Sequence, residues 1–305
     1  MDIVRVWGEI RPMRLRPTRL RLLRHLGVLG LSLPLVVAAS LAHAAPPAKP
    51  APAAPATPTL AKDTVARLKS GDPAQIKSAL DDVRMAGKGG ALAAPAIAEL
   101  LHKGLDAALT QSAIETLGDT ESEAGSDALA WYTHHRNVAF RRAAVAALTK
   151  TKGAAAVKAL RIALSDGDAQ VRGMSATALG ALKAKDAVGD LFTALEHKVN
   201  EAAVSIGQLC AGAECERLAN KLGAVPFDVV VGGLDQILFR GGTDVNDDTK
   251  VKIVGRIREL GTGEANRFLK EAQKKWPESW SKRVKQAIDQ AVLATSGTPG
   301  AGGAP

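Results

Sequence analysis

The chain has 305 residues, of which 46% are apolar but only 3% aromatic. This alanine-rich, aromatic-poor composition suits helices that pack through small side chains and argues against a sheet-based fold, because strands favour β-branched and aromatic residues. The formal net charge of +9 is concentrated near the N-terminus, where residues 1–44 contain seven arginines against Asp2 and Glu9. The remainder is close to balanced, which argues against an extended nucleic-acid-binding surface.

The N-terminal segment has the layout of a secretory signal peptide. An arginine-rich stretch is followed by an apolar run over 26–42, and Ala42-His43-Ala44 matches the A-x-A cleavage pattern. No cysteine follows the run, which excludes a lipoprotein. We therefore expect a signal peptide at 1–44, cleavage near Ala44-Ala45 by the general secretory route, and a periplasmic or secreted mature protein.

Two alternatives remain open for this segment. Met13 begins a more ordinary signal sequence than Met1 does, so either methionine is a candidate start. An uncleaved anchor is the other alternative. Pro34 interrupts the apolar run, and the run falls short of the roughly 20 apolar residues of a comfortable span. We therefore expect no stable membrane span after cleavage.

Proline- and glycine-rich segments flank the part of the chain that is expected to fold. Residues 45–60 contain so many prolines that we predict a semi-extended, disordered linker. The glycine- and proline-rich residues 296–305 predict a disordered tail. Between them we predict helical repeats over 61–225 and a C-terminal group of helices, a cap, over 226–295.

Apolar residues in the middle of the chain recur with an offset of 31. The offset relates Leu148 to Leu179, Val157 to Val188, Leu160 to Leu191 and Leu164 to Leu195. Within each unit, two blocks of helical spacing are separated by a short polar or glycine turn. Each unit therefore predicts an antiparallel pair of helices, and neighbouring pairs must stack because neither helix can bury its apolar stripe alone.

Capping residues and glycines place the helix boundaries. Asp72-Pro73, Asp168 and Asp247-Asp248-Thr249 are typical helix starts, and Gly153, Gly223 and Gly261 stand where helices are expected to end. We predict helix pairs at 62–104, 105–134, 137–164, 168–197 and 199–223, followed by longer helices at 226–240, 247–260, 263–275 and 278–295.

The segment 165–182 resembles the HEAT-like repeat of the phycobilisome-lyase type. It has an acidic turn, then Val171-Arg172, small residues and Ala-Leu-Gly. The unit at 136–164 is similar, with Arg141 and Arg142 in place of Val-Arg. The resemblance implies an all-α, right-handed α-solenoid, or superhelix, whose second helices line the concave face.

The same resemblance implies that Arg172 and either Asp166 or Asp168 belong to a ladder that stabilises the turns. It says little about function, because one fold hosts many activities. Bilin-lyase activity does not follow from repeat similarity alone.

No motif in the sequence points to catalysis or to a metal. The four histidines after the signal peptide are not followed by glutamate, which argues against an iron site of the kind found in hydroxylases built from such repeats. Asp244, Asn246 and Asp248 alternate as in a calcium loop, but the glycine and terminal glutamate are missing. We interpret them as a polar loop that caps the next helix, and we expect no cofactor, no metal and no enzymatic activity.

The solvent side of the second helices is the candidate binding surface. Trp131 and Tyr132 form an aromatic cluster in the repeats, and Lys158 and Arg161 are expected at similar positions in the next unit. An aromatic anchor beside a basic ridge suits a protein or peptide partner in the concave groove, because Trp, Tyr and Arg dominate binding hot spots. The alternative is that Trp131 only fills the core.

Two further features need interpretation. Trp276 and Trp280 are expected to pack the C-terminal helices over the last repeat, with a membrane-interface role as the alternative. Cys210 and Cys215 are close in sequence, and in an oxidising compartment we expect a structural disulfide. The alternative is two small buried residues flanking a turn.

The sequence as a whole predicts an exported HEAT-repeat scaffold that mediates protein–protein interaction in the cell envelope without catalysis. An envelope enzyme or ligand receptor with an unrecognised groove site is the alternative, and a purely structural subunit is a third. The sequence leaves the oligomeric state open.

Overall fold

The computed structural model describes residues 60–241 and 244–296. The predicted signal peptide at 1–44, all but the last residue of the linker at 45–60 and all but the first residue of the tail at 296–305 lie outside the described residues. Within the described ranges, fifteen α-helices and three short 3₁₀ segments are joined by turns, and no β-strand is formed. The fold is therefore all-α, as predicted.

After a short helix α1 (Thr64–Leu68), the helices alternate between a first and a second helix of each pair. The first helices are α2 (Pro73–Ala86), α4 (Ala107–Asp119), α6 (Val138–Thr151), α8 (Ala169–Ala181), α10 (Ala202–Leu209), α12 (Phe227–Phe239) and α14 (Gly263–Lys275). The second helices are α3 (Ala94–Lys103), α5 (Ser126–Tyr132), α7 (Gly153–Ala163), α9 (Val188–Glu196), α11 (Ala213–Ala219), α13 (Asp247–Glu259) and α15 (Lys282–Thr295).

The helix pairs stack into a solenoid with two layers. The first helices pack against each other in chain order from α2 to α14, and second helices such as α3, α5 and α7 form the other layer. The last two pairs continue this stack, because α12 packs on α10 and α13 packs on α11. The C-terminal helices are therefore further pairs of the same kind.

The predicted offset of 31 relates residues that are equivalent in three dimensions. Leu117, Leu148 and Leu179 are fully buried in successive first helices, as are Leu129, Leu160 and Leu191 in successive second helices. Each pair thus buries its apolar stripes against its neighbours, which is the source of stability in a stacked repeat.

Arginine side chains hold the turns between successive pairs. The guanidinium Nη1 of Arg172 donates to the carbonyls of 166–167 at 2.8 and 3.2 Å. One unit earlier, the Nη1 of Arg141 donates to the carbonyls of 135–136 at 3.1 and 3.4 Å. Arg141 is thus the equivalent of Arg172, and the predicted alignment, which put Arg141 in the place of Val171, was wrong by one residue.

Two ion pairs connect the turn before α8 to the preceding pair. Arg141 forms two parallel hydrogen bonds to the carboxylate of Asp166, and Arg142 forms two to Asp168. Asp168 also accepts from the backbone N–H of Val171 at 3.0 Å, so it is the N-cap of α8. These interactions, the bond from Arg142 above all, lower the pKa of Asp168 to about 2.

Glycines allow two close contacts between first helices. A Cβ on Gly207 of α10 would lie 2.1 Å from the carbonyl oxygen of Gly233 in α12, and a Cβ on Gly233 would lie 2.2 Å from the carbonyl oxygen of Ala203. A Cβ on Gly118 of α4 would lie 2.8 Å from the Cα of Ala147 in α6. At these positions any side chain would push the two helices apart.

Trp276 and Trp280 close the junction between the last two pairs. Trp276 is buried, with ring centroids 5.9 Å from Phe239 of α12 and 5.2 Å from Trp280. Lys250 of α13 lies 5.0 Å from the centre of the Trp280 ring. Both tryptophans therefore pack the α14–α15 turn onto the preceding pair.

None of the described helices is long and apolar enough to cross a bilayer.

Candidate functional site

The two aromatic residues predicted to bind a partner have different environments. The side chain of Trp131 is 59% exposed at the end of α5, so the alternative in which it only fills the core is wrong. Tyr132 is 5% exposed, and its hydroxyl donates to the carbonyl of Leu101 at 3.0 Å. Burial also raises the pKa of Tyr132. Tyr132 is thus mainly a core residue that supports Trp131, and its predicted role as a contact residue is corrected.

Trp131 stands at the rim of a small aromatic groove. The groove has a volume of about 420 Å³ and lies between the end of α3 and the turn after α5. Its wall contains His135, whose ring stacks on Tyr132 with centroids 5.6 Å apart, and Phe140, 5.0 Å from the His135 ring. The backbone N–H of Asn137 donates to Nδ1 of His135 at 3.0 Å. This bonding fixes the imidazole as part of the turn.

Ile162 is a second exposed apolar residue on the same layer of helices. It is 50% exposed in α7, one offset of 31 after Trp131 in α5, and α5 and α7 pack against each other. Ile162 was not predicted as a binding residue, although the repeat offset relates it to Trp131 in the sequence. Trp131 and Ile162 together form what we call the apolar ridge of the second helices.

Lys158 and Arg161 line a different and larger groove. This basic groove has a volume of about 700 Å³ and lies between α7 and the turn that leads into α9. Arg161 forms an ion pair with Asp190 of α9, so one side chain crosses from α7 to the next second helix. The lining residues are Lys152, Gly153, Ala154, Val157, Lys158, Arg161, Ala181, Leu182, Lys183, Ala184, Lys185 and Asp186.

The turns between first and second helices contribute three more lysines to the basic groove, namely Lys152, Lys183 and Lys185. Lys152 and Lys183 are 31 residues apart, and both have positive φ, at 63° and 55°. Only a few per cent of non-glycine residues adopt such a backbone. The repeat offset of 31 relates Lys152 to Lys183 in the sequence, but these lysines were not predicted to bind a partner.

The four predicted partner-binding residues therefore divide into two places. Trp131 and Tyr132 lie at the aromatic groove, and Lys158 and Arg161 lie in the basic groove. The packed helices α5 and α7 carry both places, so a ligand that contacts both must run across the layer of second helices.

The carboxylates and histidines of the described residues form no metal site. No group of three or more His, Cys, Asp or Glu side chains in the described ranges could hold a metal ion. In the loop once compared with a calcium site, Asn246 instead accepts from the backbone N–H of Thr249 at 2.8 Å and caps α13.

A disulfide joins Cys210 to Cys215 in the turn between α10 and α11, with the two Cα atoms 5.2 Å apart. The guanidinium of Arg240 covers it, donating to the carbonyl of Cys210 and lying 3.6 Å from the sulfur of Cys215. Burial lowers the pKa of Arg240. The contacts around the disulfide are those of a structural element that holds a turn.

Comparison with known proteins gives likenesses in three-dimensional structure alone. The sequence matches no family model and no curated protein. The complex of CpcE and CpcF of phycocyanin lyase from Nostoc sp. PCC7120 is similar at 20% identity and a TM-score of 0.40, over 82% of this chain and 100% of that chain.

Two artificial proteins are also similar. An engineered protein has 16% identity and a TM-score of 0.46, over 77% of this chain and 68% of that one. A designed armadillo repeat protein has 16% identity and a TM-score of 0.40, over 76% and 98%.

Proposed function

We propose that this protein is an exported, non-catalytic scaffold of the cell envelope that binds a protein or peptide on its layer of second helices. The observation that carries the proposal is the apolar ridge, where Trp131 and Ile162 are 59% and 50% exposed on neighbouring helices. Tryptophan is enriched among the residues that dominate binding energy, and Ile162 adds a second exposed apolar side chain on the helix that packs on α5.

The surroundings of the ridge support a binding role. The aromatic groove opens at the end of α5 and the basic groove opens beside α7, the helix that packs on α5, so the two concave surfaces lie on neighbouring second helices. Trp131 is held by an edge-to-face contact with Tyr132, with centroids 5.1 Å apart. An anchor whose rotamer is already fixed loses less conformational entropy when a partner binds.

The proposed absence of catalysis is supported by the roles of the titratable groups. The groups with shifted pKa values serve the fold: Asp168 caps α8 and binds Arg142, and Arg240 covers the Cys210–Cys215 disulfide. Active sites instead gather several perturbed groups in one cleft.

Export is proposed from the N-terminal sequence. The apolar run and the Ala42-His43-Ala44 pattern support cleavage between Ala44 and Ala45, and a disulfide fits an oxidising compartment. The N-terminus of protein isolated from cells tests this part directly. A mature chain that starts at Ala45 is expected, and an intact N-terminus would contradict export.

Photocrosslinking from the apolar ridge tests the binding role. A photoreactive phenylalanine analogue replaces Ile162 in one variant and Leu293, which is exposed on the distant helix α15, in the control. We expect one reproducible adduct from position 162 that is absent from position 293. Adding Trp131→Ala or Arg161→Glu should abolish the adduct while the helical circular dichroism stays unchanged.

Two outcomes would contradict the proposal. One is an identical set of adducts from positions 162 and 293, because it would show collisions without a defined site. The other is a position-162 adduct that persists in full after Trp131→Ala and Arg161→Glu, because those residues would then have no part in binding.

A further inference from the structure

We propose that the basic groove binds an acidic peptide segment of the partner, whose carboxylates pair with Lys152, Lys158, Lys183 and Lys185. This inference rests on the proposed function, because it names the chemistry of the partner on the same layer of helices. It also adds three lysines to the predicted site, all of them from turns.

The charges of the groove are unbalanced. Five cationic side chains line it against one carboxylate, Asp186, and Arg161 is neutralised by Asp190. Within the part of the chain that the structure describes, the ammonium groups of the four lysines form no ion pair.

Several lysines elsewhere on the molecule are paired with a carboxylate. Lys88 pairs with Glu121 at 3.0 Å, Lys150 with Asp119 at 2.7 Å, and Lys221 with Glu196 at 2.8 Å. The basic groove instead brings four lysines without such a partner into one concave surface, so its positive charge is not neutralised. A surface lined by side chains of one charge attracts and orients a ligand of the opposite charge.

The floor of the groove favours a peptide over a nucleic acid. Ala154, Val157, Ala181 and Leu182 line the groove together with the lysines, so its wall is partly apolar. No aromatic side chain lines the groove, whereas binding of single-stranded nucleic acid relies on bases stacking on aromatic rings. A volume of about 700 Å³ falls within the range of ligand pockets and accommodates a few residues of an extended chain.

The backbone at two of these lysines makes them suitable for a test. Lys152 and Lys183 have φ of 63° and 55°, and the equivalent turns of other pairs have Gly87 at 53°, Glu121 at 50° and Gly212 at 44°, so the positive φ belongs to the turn itself. Glycine adopts this conformation readily and a lysine does so at a cost in stability. Replacing either lysine by glycine therefore removes its charge from the groove while the backbone of the turn is relieved.

Replacing the two strained lysines by glycine separates binding from folding. The test variant is Lys152→Gly with Lys183→Gly, and the matched control is Glu121→Gly, which stands at the equivalent turn with φ of 50° but outside the groove. The probe is a fluorescein-labelled 12-residue peptide of alternating Glu and Ala, with a Gln-Ala peptide and a single-stranded oligonucleotide of equal length as comparisons. Binding is followed by fluorescence anisotropy.

We expect the Glu-Ala peptide to bind the full chain and to bind more weakly as salt is raised from 50 to 300 mM. The double variant should bind it about tenfold more weakly, although its thermal midpoint is equal to or above that of the unaltered protein. Glu121→Gly should leave the affinity unchanged.

Three results would overturn the inference. They are equal affinity of the double variant, equal affinity of the Gln-Ala peptide, and tighter binding of the oligonucleotide. If any of these occurs while the position-162 adduct remains specific, the proposed function stands and only the chemistry of the partner is wrong. If the adduct is lost while lysine-dependent peptide binding remains, the apolar ridge is wrong and the basic groove stands.

Discussion

Arg141 binds the carboxylate of Asp166 through two hydrogen bonds of 2.8 Å each, from Nε and from Nη2. The same side chain donates from Nη1 to the carbonyls of 135–136. Both side chains of the pair are largely buried, at 18% and 9% exposure. One arginine therefore ties the turn at the start of its own pair to the turn at the start of the next.

Replacing this arginine should weaken the stack. Arg141→Met leaves the Asp166 carboxylate with only backbone donors, and we expect a loss of about 2 kcal/mol in the free energy of unfolding. Arg141→Lys should recover only part of it, because an ammonium cannot make the two-pronged contact. Urea unfolding followed by circular dichroism measures both. The control is Asp81→Asn, which removes an exposed pair with Lys77 and should change little; equal losses at both sites would refute the special role of Arg141.

The stability of the protein should fall in acid partly through Asp168. The hydrogen bonds from Arg142 and the α8 cap lower its pKa to about 2 in the folded state, whereas a free aspartate titrates near 4. The folded state therefore gains stability from this group above pH 4 and loses it as the pH falls from about 4 to about 2. Asp168→Asn keeps a capping oxygen but has no carboxylate. Unfolding midpoints at pH 5, 4, 3 and 2 should fall less steeply in the variant, and parallel curves would contradict this account.

The contact between α10 and α12 should not tolerate a methyl group. Gly207→Ala would place a Cβ 2.1 Å from the carbonyl oxygen of Gly233, so the helices must separate, and we expect a loss of about 3 kcal/mol or more. Gly255→Ala in α13 is the control, because a Cβ there meets nothing within 4 Å. That variant should gain about 0.5–1 kcal/mol from reduced backbone freedom. Thermal unfolding separates the two, and a well-tolerated Gly207→Ala would show that the helices are farther apart than described.

Loss of the disulfide should destabilise the protein modestly. Cys210 and Cys215 close a loop with a sequence separation of 5, for which the chain-entropy relation gives about 2 kcal/mol. Cys210→Ala with Cys215→Ala should lower the thermal midpoint, and a reducing agent should lower the midpoint of the unaltered protein to the same value. If the reducing agent has no effect on the unaltered protein, the two cysteines are not paired in solution.

Much of the helical framework could be predicted because its signals are local. Asp72 accepts from the backbone N–H of Ala74 at 2.9 Å and starts α2, as the Asp-Pro pair indicated. The pairs predicted at 137–164 and 168–197 agree with α6–α7 and α8–α9. The 3₁₀ segment between α2 and α3 was not predicted, because the apolar spacing there does not mark where α2 ends.

Features that depend on distant residues were not visible in the sequence. Gly207 and Gly233 are unremarkable within their own helices, and only the packing of α10 on α12 shows why they are small. Tyr132 could not be recognised as a core residue, because its hydrogen-bond acceptor is Leu101 in another helix pair. For the same reason the repeat offset related Lys152 to Lys183, but only the structure joined them to Lys158 in one groove.

The glycine contacts also bear on how the stack deforms under load. At Gly118 against Ala147 and at Gly207 against Gly233, no side chain stands between the helices to change rotamer and absorb a shift. These two seams therefore resist sliding, and two steps of the stack, from α6 to α8 and from α8 to α10, lie between them. At the second of these steps Gly180 of α8 faces the side chains of Ser205 and Gln208, which can change rotamer. The basic groove, between α7 and α9, lies in this stretch, so a bend of the solenoid between the two seams opens or narrows the groove.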